Sequence, residues 1–195
     1  MGITNVTWAS LKEVLPDLSG KSIVELGDQE FVLPGQLRHH GFEIRWSKNY
    51  YDLVGAAHVS IDWHGQNGAL RLDMSQPVAG FLFNRFDVLT DFGFSEHVQN
   101  QYQNWKNIHD IVKPGGIMIH ELPGQPMFPA HETCPWFTTD FFWGMAFRQN
   151  YKVVNIKFHR HDYPLAGQCV WAALVKDTNE FMSLDEFNKL DLRRN

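Results

Sequence analysis

Short apolar runs alternate with amphipathic stretches along most of the chain. Apolar runs bounded by turn residues are typical of strands, and their alternation with helical patterns predicts βαβ units and a mostly parallel sheet. The predicted strands cover residues 22–26, 58–62, 69–73, 86–91, 117–119, 151–158 and 169–175. Only a turn with Pro164 and Gly167 separates the last two, so they must pair antiparallel, because parallel neighbours need a much longer crossover. The expected fold class is α/β: a seven-stranded, mostly parallel sheet with an antiparallel last strand and helices on both faces.

The clearest predicted helix lies between the fourth and fifth strands. Ser95 is a good N-cap, and apolar residues follow it at spacings of three and four. These residues are Val98, Tyr102, Trp105, Ile108 and Val112. The helix is expected to stop at Pro114-Gly115-Gly116.

Three further helices are expected from weaker signals. A short one covers residues 10–15, before Pro16, and an aromatic one begins at Thr138 or Thr139. A capping box at residues 183–186 opens the last helix. The apolar face of that last helix is predicted to carry Leu184, Phe187 and Leu190.

Carboxylates end five of the predicted strands. They are Asp28, Asp62, Asp73, Asp91 and Glu121. Ligands of an open α/β sheet bind beyond the carboxyl ends of its strands, so these side chains are candidates for one site. Such a set suits a ligand that is rich in hydroxyls and cationic centres.

The turn after the first strand distinguishes between nucleotide cofactors. A dinucleotide site needs a glycine-rich turn, so that backbone N–H groups approach a pyrophosphate. Here the turn is Gly27-Asp28-Gln29-Glu30, with one glycine and two acids that would repel a phosphate. S-adenosylmethionine has no phosphate and carries an ammonium and a sulfonium, so an acidic turn suits it better than NAD.

Several segments, taken in order, resemble the class I S-adenosylmethionine-dependent methyltransferases. Val24-Glu25-Leu26-Gly27 is similar to the first motif of that family, and residues 112–119 are similar to its Lys-Pro-Gly-Gly turn into the fifth strand. Asp62 matches the acid that binds the ribose hydroxyls, Leu72-Asp73-Met74 the adenine side, and residues 86–91 the fourth motif. The resemblance covers about residues 20–122 and implies a single Rossmann-like domain.

The resemblance implies a division of roles along the chain. Residues 20–122 would bind the cofactor, residues 123–150 would form a substrate lid, and residues 151–195 would complete the sheet. The expected cofactor-binding residues are Glu25, Gly27, Asp28, Gln29, Asp62, Trp63, Asp73, Met74, Asp91 and Phe92. The expected catalytic residues follow strands four and five, facing the transferred methyl group: Glu96, His97, His120 and Glu121.

Two other functions stay open at this point. Gln29 stands where the family has a second glycine, which favours a methyltransferase-fold binding module without activity. An NAD-dependent oxidoreductase is the less favoured alternative. For single residues, Glu25 could be a structural acid, Asp62 an Asx-turn residue and His97 a helix cap.

The composition indicates which classes of binding partner to expect, but it does not indicate the reaction. The net charge is -5 and no long Lys/Arg run exists, so nucleic acid is disfavoured and a small-molecule substrate is expected. No apolar run is long enough to span a membrane, and the two cysteines, Cys134 and Cys169, form no CxxC pair. A cytoplasmic protein without a metal site is expected, and the fifteen Phe and seven Trp leave a homo-oligomer possible.

Overall fold

The computed structural model describes residues 2–32, 37–39, 42–125, 134–160 and 167–193. Within these ranges the helices are α1 (Asn5–Val14), α2 (Ser47–Leu53), α3 (Gln101–Ile111), α4 (Thr139–Gln149) and α5 (Leu184–Phe187). The strands are β1 (Ser22–Leu26), β2 (Leu37–His39), β3 (Phe42–Ile44), β4 (Ala57–Asp62), β5 (Leu70–Arg71), β6 (Phe86–Phe92), β7 (Val112–Pro123), β8 (Trp136–Phe137), β9 (Lys152–Arg160), β10 (Gln168–Val175) and β11 (Leu192–Arg193). Short 3-10 turns cover Gln66–Gly68, Gly80–Leu82 and Ser95–His97.

The main sheet confirms the predicted fold class. Its seven strands lie in the order β5-β4-β1-β6-β7-β10-β9. All neighbours pair parallel except β10, which runs antiparallel to both β7 and β9. The chain moves outward from β1 to β5 and then returns to β6 on the other side of β1. This reversal places a topological switch point, where such sheets bind ligands, at the carboxyl ends of β1 and β6.

Alternate residues of the central strands enter two separate cores. Ile23 packs in the core beneath α1 and α2, together with Leu11 and Tyr51. Val24 and Leu26 face the larger core beneath α3 and α4. Strands buried on both faces are expected of a parallel sheet covered by helices on each side, and they explain why both faces of β1 carry apolar residues.

Most predicted elements are confirmed, with shifts at their ends. The strands at residues 22–26 and 169–175 are found almost unchanged, and the capping box of α5 is present. α4 begins at Thr139, one of the two predicted starts, with Thr138 as its N-cap. The prediction for Leu184 is wrong: it is 50% exposed, because a helix of one turn has room for fewer inward positions. The turn at Pro164 and residues 126–133 of the predicted lid lie outside the described residues.

A hairpin is inserted directly after the first turn, where no strand was predicted. β2 and β3 pair antiparallel, and a bridge between Glu30 and Trp46 continues the ribbon toward the sheet. The Ser47 N–H then donates to the Gln29 carbonyl at 3.1 Å, so the chain returns to the point where it left. The insertion lengthens the segment that joins Gly27 to Asp62. Strands of three residues are too short to show an alternating pattern.

Ser95 does not cap the helix that follows it, which corrects the prediction. Its hydroxyl donates to Asp91 Oδ2 at 2.6 Å, and its own segment is a short 3-10 turn that ends before Val98. The helix begins later, with Asn100 as the N-cap accepting from the Gln103 N–H. Trp105 nevertheless lies on the buried face, as predicted, at 3% exposure.

A buried lysine closes the other end of the same helix. Lys176 follows β10, and its ammonium donates to the carbonyls of His109 and Val112 at 2.8 and 2.7 Å. A third hydrogen bond, of 2.9 Å, reaches the Asn84 side chain. The last carbonyls of a helix have no partner inside the helix, so Lys176 satisfies the C-terminus of α3.

Candidate active site

The first turn is a tight one built on Gly27. Gly27 has φ +81°, a conformation that glycine adopts without strain. A Cβ atom at this position would lie 2.8 Å from Gln29 Nε2, so the Gln29 side chain closes over the glycine. Gln29 is 3% exposed and donates to the Leu26 carbonyl at 3.0 Å, while its Oε1 has no hydrogen-bond partner among the described residues.

Glu25 lies beneath this turn and is fully buried. Its Oε2 accepts from the Ser47 hydroxyl at 2.7 Å and from the Gln29 N–H at 3.4 Å, and it is 3.5 Å from His58 Nε2. Burial raises the pKa of Glu25 above its ordinary value, against the opposing effect of His58. These contacts tie β1 to α2 and β4. Ser47 and His58 were not predicted as its partners, because both approach from distant parts of the sequence.

The acid at the end of β4 is held by a local turn and stays partly open. Asp62 Oδ1 accepts from the His64 N–H at 2.7 Å, which is the Asx turn considered from the sequence. Its Oδ2 makes no hydrogen bond with the described residues, and Asp62 is only half-buried. Trp63, next to it, is 54% exposed. The turn and the ligand role are therefore compatible, since each uses a different oxygen.

The neighbouring acids are arranged in a similar way. Asp73 Oδ1 accepts from the Ser75 N–H at 2.8 Å, and Asp73 is half-buried. Asp28 accepts from the Asn67 amide, which links the first turn to the loop after β4. Asp28, Asp62 and Asp73 thus line one stretch of the carboxyl edge, along β1, β4 and β5.

Glu30 does not act as a free negative charge. It forms an ion pair with Arg45 across the base of the inserted hairpin, with 2.9 Å between Arg45 Nε and Glu30 Oε1. The expected repulsion of a phosphate therefore depends on Asp28 alone. The buried side chain of Gln29 is a second obstacle, because a dinucleotide site needs a glycine there for close approach of the backbone.

A closed polar network lies at the ends of β6 and β7. Asp91 is fully buried, and its Oδ2 is 3.0 Å from His120 Nδ1 on the adjacent strand. Its Oδ1 accepts from the N–H groups of Phe94 and Ser95. Asn104 of α3 donates to the Ser95 hydroxyl at 2.8 Å. Asp91 therefore fixes both the turn after β6 and the orientation of the His120 ring.

Glu96 is the exception in this region, because its carboxylate lacks such partners. It is 2% exposed, and neither oxygen has a hydrogen-bond partner among the described residues. His97 Nε2 lies 3.8 Å from its Oε1. Burial first, and the charge of Asp91 second, raise the pKa of Glu96 to about 8. Native proteins rarely leave a buried polar group in this state, so Glu96 requires an explanation.

Two thiols lie near Glu96, and one of them also lies near a second acid, Glu121. Burial and the charge of Glu96 raise the pKa of Cys134, and burial with the charges of Glu121 and Glu96 raises the pKa of Cys169. Cys169 lies at the start of β10, opposite Pro123, and Glu121 of β7 pairs with Trp171. Cys134 Sγ lies 3.7 Å from His97 Nδ1. The sequence singled out neither cysteine for this site, because only the fold brings them together.

The predicted site residues fall into two groups by accessibility. The buried ones are Glu25, Gly27, Gln29, Met74, Asp91, Phe92, Glu96, His120 and Glu121. The partly or fully exposed ones are Asp28, Asp62, Trp63, Asp73 and His97. All of them lie at the carboxyl edge of the sheet. Met74 packs in the core, and Phe92 stacks on Trp171 with 6.0 Å between ring centroids.

The aromatic segment after the predicted lid divides between core and surface. Phe141 and Phe142 are fully buried around Trp105, whereas Trp143 and Phe147 are 52% and 88% exposed.

No described helix has the length and apolar character that crossing a membrane requires.

Solved structures share this architecture. A 1,6-didemethyltoxoflavin-N1-methyltransferase from Burkholderia thailandensis, solved with 1,6-didemethyltoxoflavin and S-adenosylhomocysteine, is 15% identical. The match has a TM-score of 0.59 and covers 87% of this chain and 76% of that one. A methyltransferase from Mesorhizobium loti is 14% identical, with a TM-score of 0.58 and coverage of 87% and 97%. One from Archaeoglobus fulgidus is 11% identical, with a TM-score of 0.58 and coverage of 88% and 93%.

No protein-family model and no curated protein matches the sequence. The three structures are all described as methyltransferases, two of them explicitly as dependent on S-adenosylmethionine. The strand order and the antiparallel β10 found here agree with the fold that the sequence resemblance implied. The chain therefore has the fold of the class I S-adenosylmethionine-dependent methyltransferases.

Proposed function

We propose that this protein binds S-adenosylmethionine and transfers its methyl group to a small-molecule or sugar-like acceptor. One observation carries the proposal: Asp62 ends β4 beside the switch point, with one carboxylate oxygen fixed by its turn and the other available. That arrangement suits a pair of vicinal ribose hydroxyls. The fold supports the proposal, because the structures similar to it are described as methyltransferases.

The residues of the carboxyl edge fit this cofactor. Asp62 would accept from the ribose hydroxyls, with Trp63 and Asp73 beside the adenine. Gln29 Oε1, a buried acceptor without a partner among the described residues, and Asp28 would receive the amino group. Glu25, Gly27, Met74, Asp91 and Phe92 would position these groups from beneath, since they are buried.

The acceptor would lie over β6, β7 and the start of β10. When bound, S-adenosylmethionine supplies a sulfonium-linked methyl group that a nucleophile of the acceptor attacks in line. The protein's main contribution is alignment, which accounts for much of the rate in well-oriented reactions. Glu96, His97 and Glu121 would contact the acceptor, and a base among them would take its proton. His120, held by Asp91, would shape the floor of this half of the site.

Two alternatives make different predictions. A binding module without activity would bind the cofactor but release no S-adenosylhomocysteine with any acceptor. An NAD-dependent oxidoreductase would bind NAD. The buried Gln29 side chain and the charge of Asp28 both disfavour a pyrophosphate at the first turn. We also propose a cytoplasmic location, where both cysteines would stay reduced.

The Asp62→Ala variant is expected to bind S-adenosylmethionine about 10- to 100-fold more weakly, because hydrogen bonds to a charged group are worth roughly 1.5–3 kcal/mol each. Asp62→Asn should weaken binding less, since the amide keeps one acceptor. Calorimetric titration of both variants measures the effect, and their urea midpoints show whether the fold is intact.

The matched control is Asp52→Asn, which removes the charge of an exposed aspartate in α2 and should leave the affinity unchanged. If Asp62 only stabilises its Asx turn and does not bind the cofactor, the opposite pattern is expected. Affinity would then be unchanged, the urea midpoint of the Ala variant would fall, and Asn would replace Asp62 almost silently. That result would remove Asp62 from the binding site.

A further inference from the structure

Glu96 is a buried acid whose neighbours leave it unsatisfied. It lies in the 3-10 turn after β6, at the carboxyl edge of the sheet, with 2% of its surface exposed. Asp91 is also buried, but its carboxylate contacts the N–H groups of Phe94 and Ser95, the Ser95 hydroxyl and His120 Nδ1. Neither oxygen of Glu96 accepts a hydrogen bond from the described residues. The contrast shows that the fold can satisfy a buried carboxylate here and does not do so for Glu96.

Among the described side chains, the charged group that raises the pKa of Glu96 is another acid, Asp91 of β6. Cys134 and Cys169 lie close enough for the charge of Glu96 to raise the pKa values of their thiols, and Glu121 of β7 adds to this effect at Cys169. These described neighbours are acidic or neutral. The partial exception is His97, with 3.8 Å between its Nε2 and Glu96 Oε1 and with 47% of its side chain exposed. No described lysine or arginine forms an ion pair or a hydrogen bond with Glu96.

We propose that Glu96 is the recognition site for a basic nitrogen of the methyl acceptor, so that the acceptor is an amine or a basic nitrogen heterocycle. An ammonium donates hydrogen bonds and brings positive charge, and these are the two things that Glu96 lacks. Acidic or purely hydroxylic acceptors would leave an ionised Glu96 without a compensating positive charge. This inference rests on the proposed function and narrows its substrate class.

The chemistry of transfer is consistent with this assignment. An ammonium must lose a proton before it can act as a nucleophile, and the Glu96 carboxylate takes that proton. The nitrogen lone pair then forms a bond to the methyl carbon as the carbon–sulfur bond breaks, with its electron pair remaining on sulfur. Because burial raises the pKa of Glu96 to about 8, its carboxylate is a stronger base than that of an ordinary glutamate, which favours this proton transfer.

The test measures binding with matched probes and does not depend on turnover. Benzylamine and histamine are compared with benzyl alcohol and benzoate by calorimetry at pH 7.5, with and without S-adenosylhomocysteine. The two amines should bind the wild type at least about 10-fold more tightly than the alcohol and the benzoate. Glu96→Gln should remove that preference, with a loss of about 10- to 100-fold for the amines alone.

Glu13→Gln is the matched control, because Glu13 is an exposed glutamate far along the sequence, and it should leave all four affinities unchanged. The inference is overturned if the alcohol or the benzoate binds as tightly as the amines, or if Glu96→Gln leaves amine binding intact. A titration with S-adenosylhomocysteine alone separates the two ideas. If it binds and the amine preference is absent, only this inference fails, whereas if it does not bind, the proposed function fails.

Discussion

The Lys176→Met variant is expected to lose about 3–5 kcal/mol of its free energy of unfolding, although Lys176 lies far from the site. Its ammonium donates to two carbonyls at the end of α3 and to Asn84. Methionine has similar length and no donor, so all three acceptors would lose their partner. Each buried group left in this way costs roughly 1–3 kcal/mol, and the gain from a less polar side chain offsets part of the sum.

Urea unfolding at pH 7 measures this loss, with Lys189→Met as the control because Lys189 is an exposed lysine. The control should change the free energy of unfolding by less than about 0.5 kcal/mol. A loss below about 1 kcal/mol for Lys176→Met would show that water or other side chains satisfy the end of α3.

Glu96→Gln is expected to stabilise the protein at alkaline pH, the opposite of the usual effect of a buried substitution. The folded state raises the pKa of Glu96 from 4.5 to about 8, so the folded protein binds more protons than the unfolded chain between these values. Stability from this group is therefore complete below about pH 4.5 and is lost as the pH rises through 8. Glutamine keeps the shape of the protonated acid and cannot ionise.

The free energy of unfolding of the variant, minus that of the wild type, should therefore increase between pH 5 and pH 9. The increase should be on the order of 3 kcal/mol, since one pKa unit corresponds to about 1.4 kcal/mol. Urea melts of both proteins at the two pH values measure it, and taking the difference cancels most groups that titrate in both. Equal differences at pH 5 and pH 9 would mean that Glu96 is ionised at no cost, and hence that it already has a partner.

The parts of the fold that were predictable from sequence are those with a strong local signal. β1 and β10 are mostly apolar runs buried on both faces, and the capping box of α5 is visible in the sequence. The antiparallel pairing of β9 and β10 followed from the short connection alone. In each case the deciding information lies within a few residues.

The errors occur where a distant contact overrides the local signal. Ser95 has the sequence of an N-cap, but its hydroxyl bonds to the buried Asp91 instead, and the helix starts at Asn100. The hairpin after the first turn depends on pairing between segments around Glu30 and Trp46. Likewise, no local pattern marks Lys176 as a helix cap, because its partners lie at least 60 residues earlier in the chain.

The sequence predicted which edge of the sheet carries the candidate site, but not the contacts that its individual side chains make. Strand-end acids were sufficient to indicate Asp62 and Asp73, because the ends of parallel strands meet in space. Sequence could not distinguish the satisfied acid Asp91 from the unsatisfied acid Glu96, which are five residues apart. That distinction depends on the hydroxyl of Ser95 and the ring of His120, which the fold turns toward Asp91.

Binding of S-adenosylmethionine at the carboxyl edge is tested most directly by calorimetric titration of the purified protein with S-adenosylhomocysteine and, separately, with NAD. We expect saturable heat with S-adenosylhomocysteine, none with NAD, and thermal stabilisation equivalent to roughly 2.7 kcal/mol at 100 times the dissociation constant. Tight binding of NAD with no heat from S-adenosylhomocysteine would contradict the proposed function.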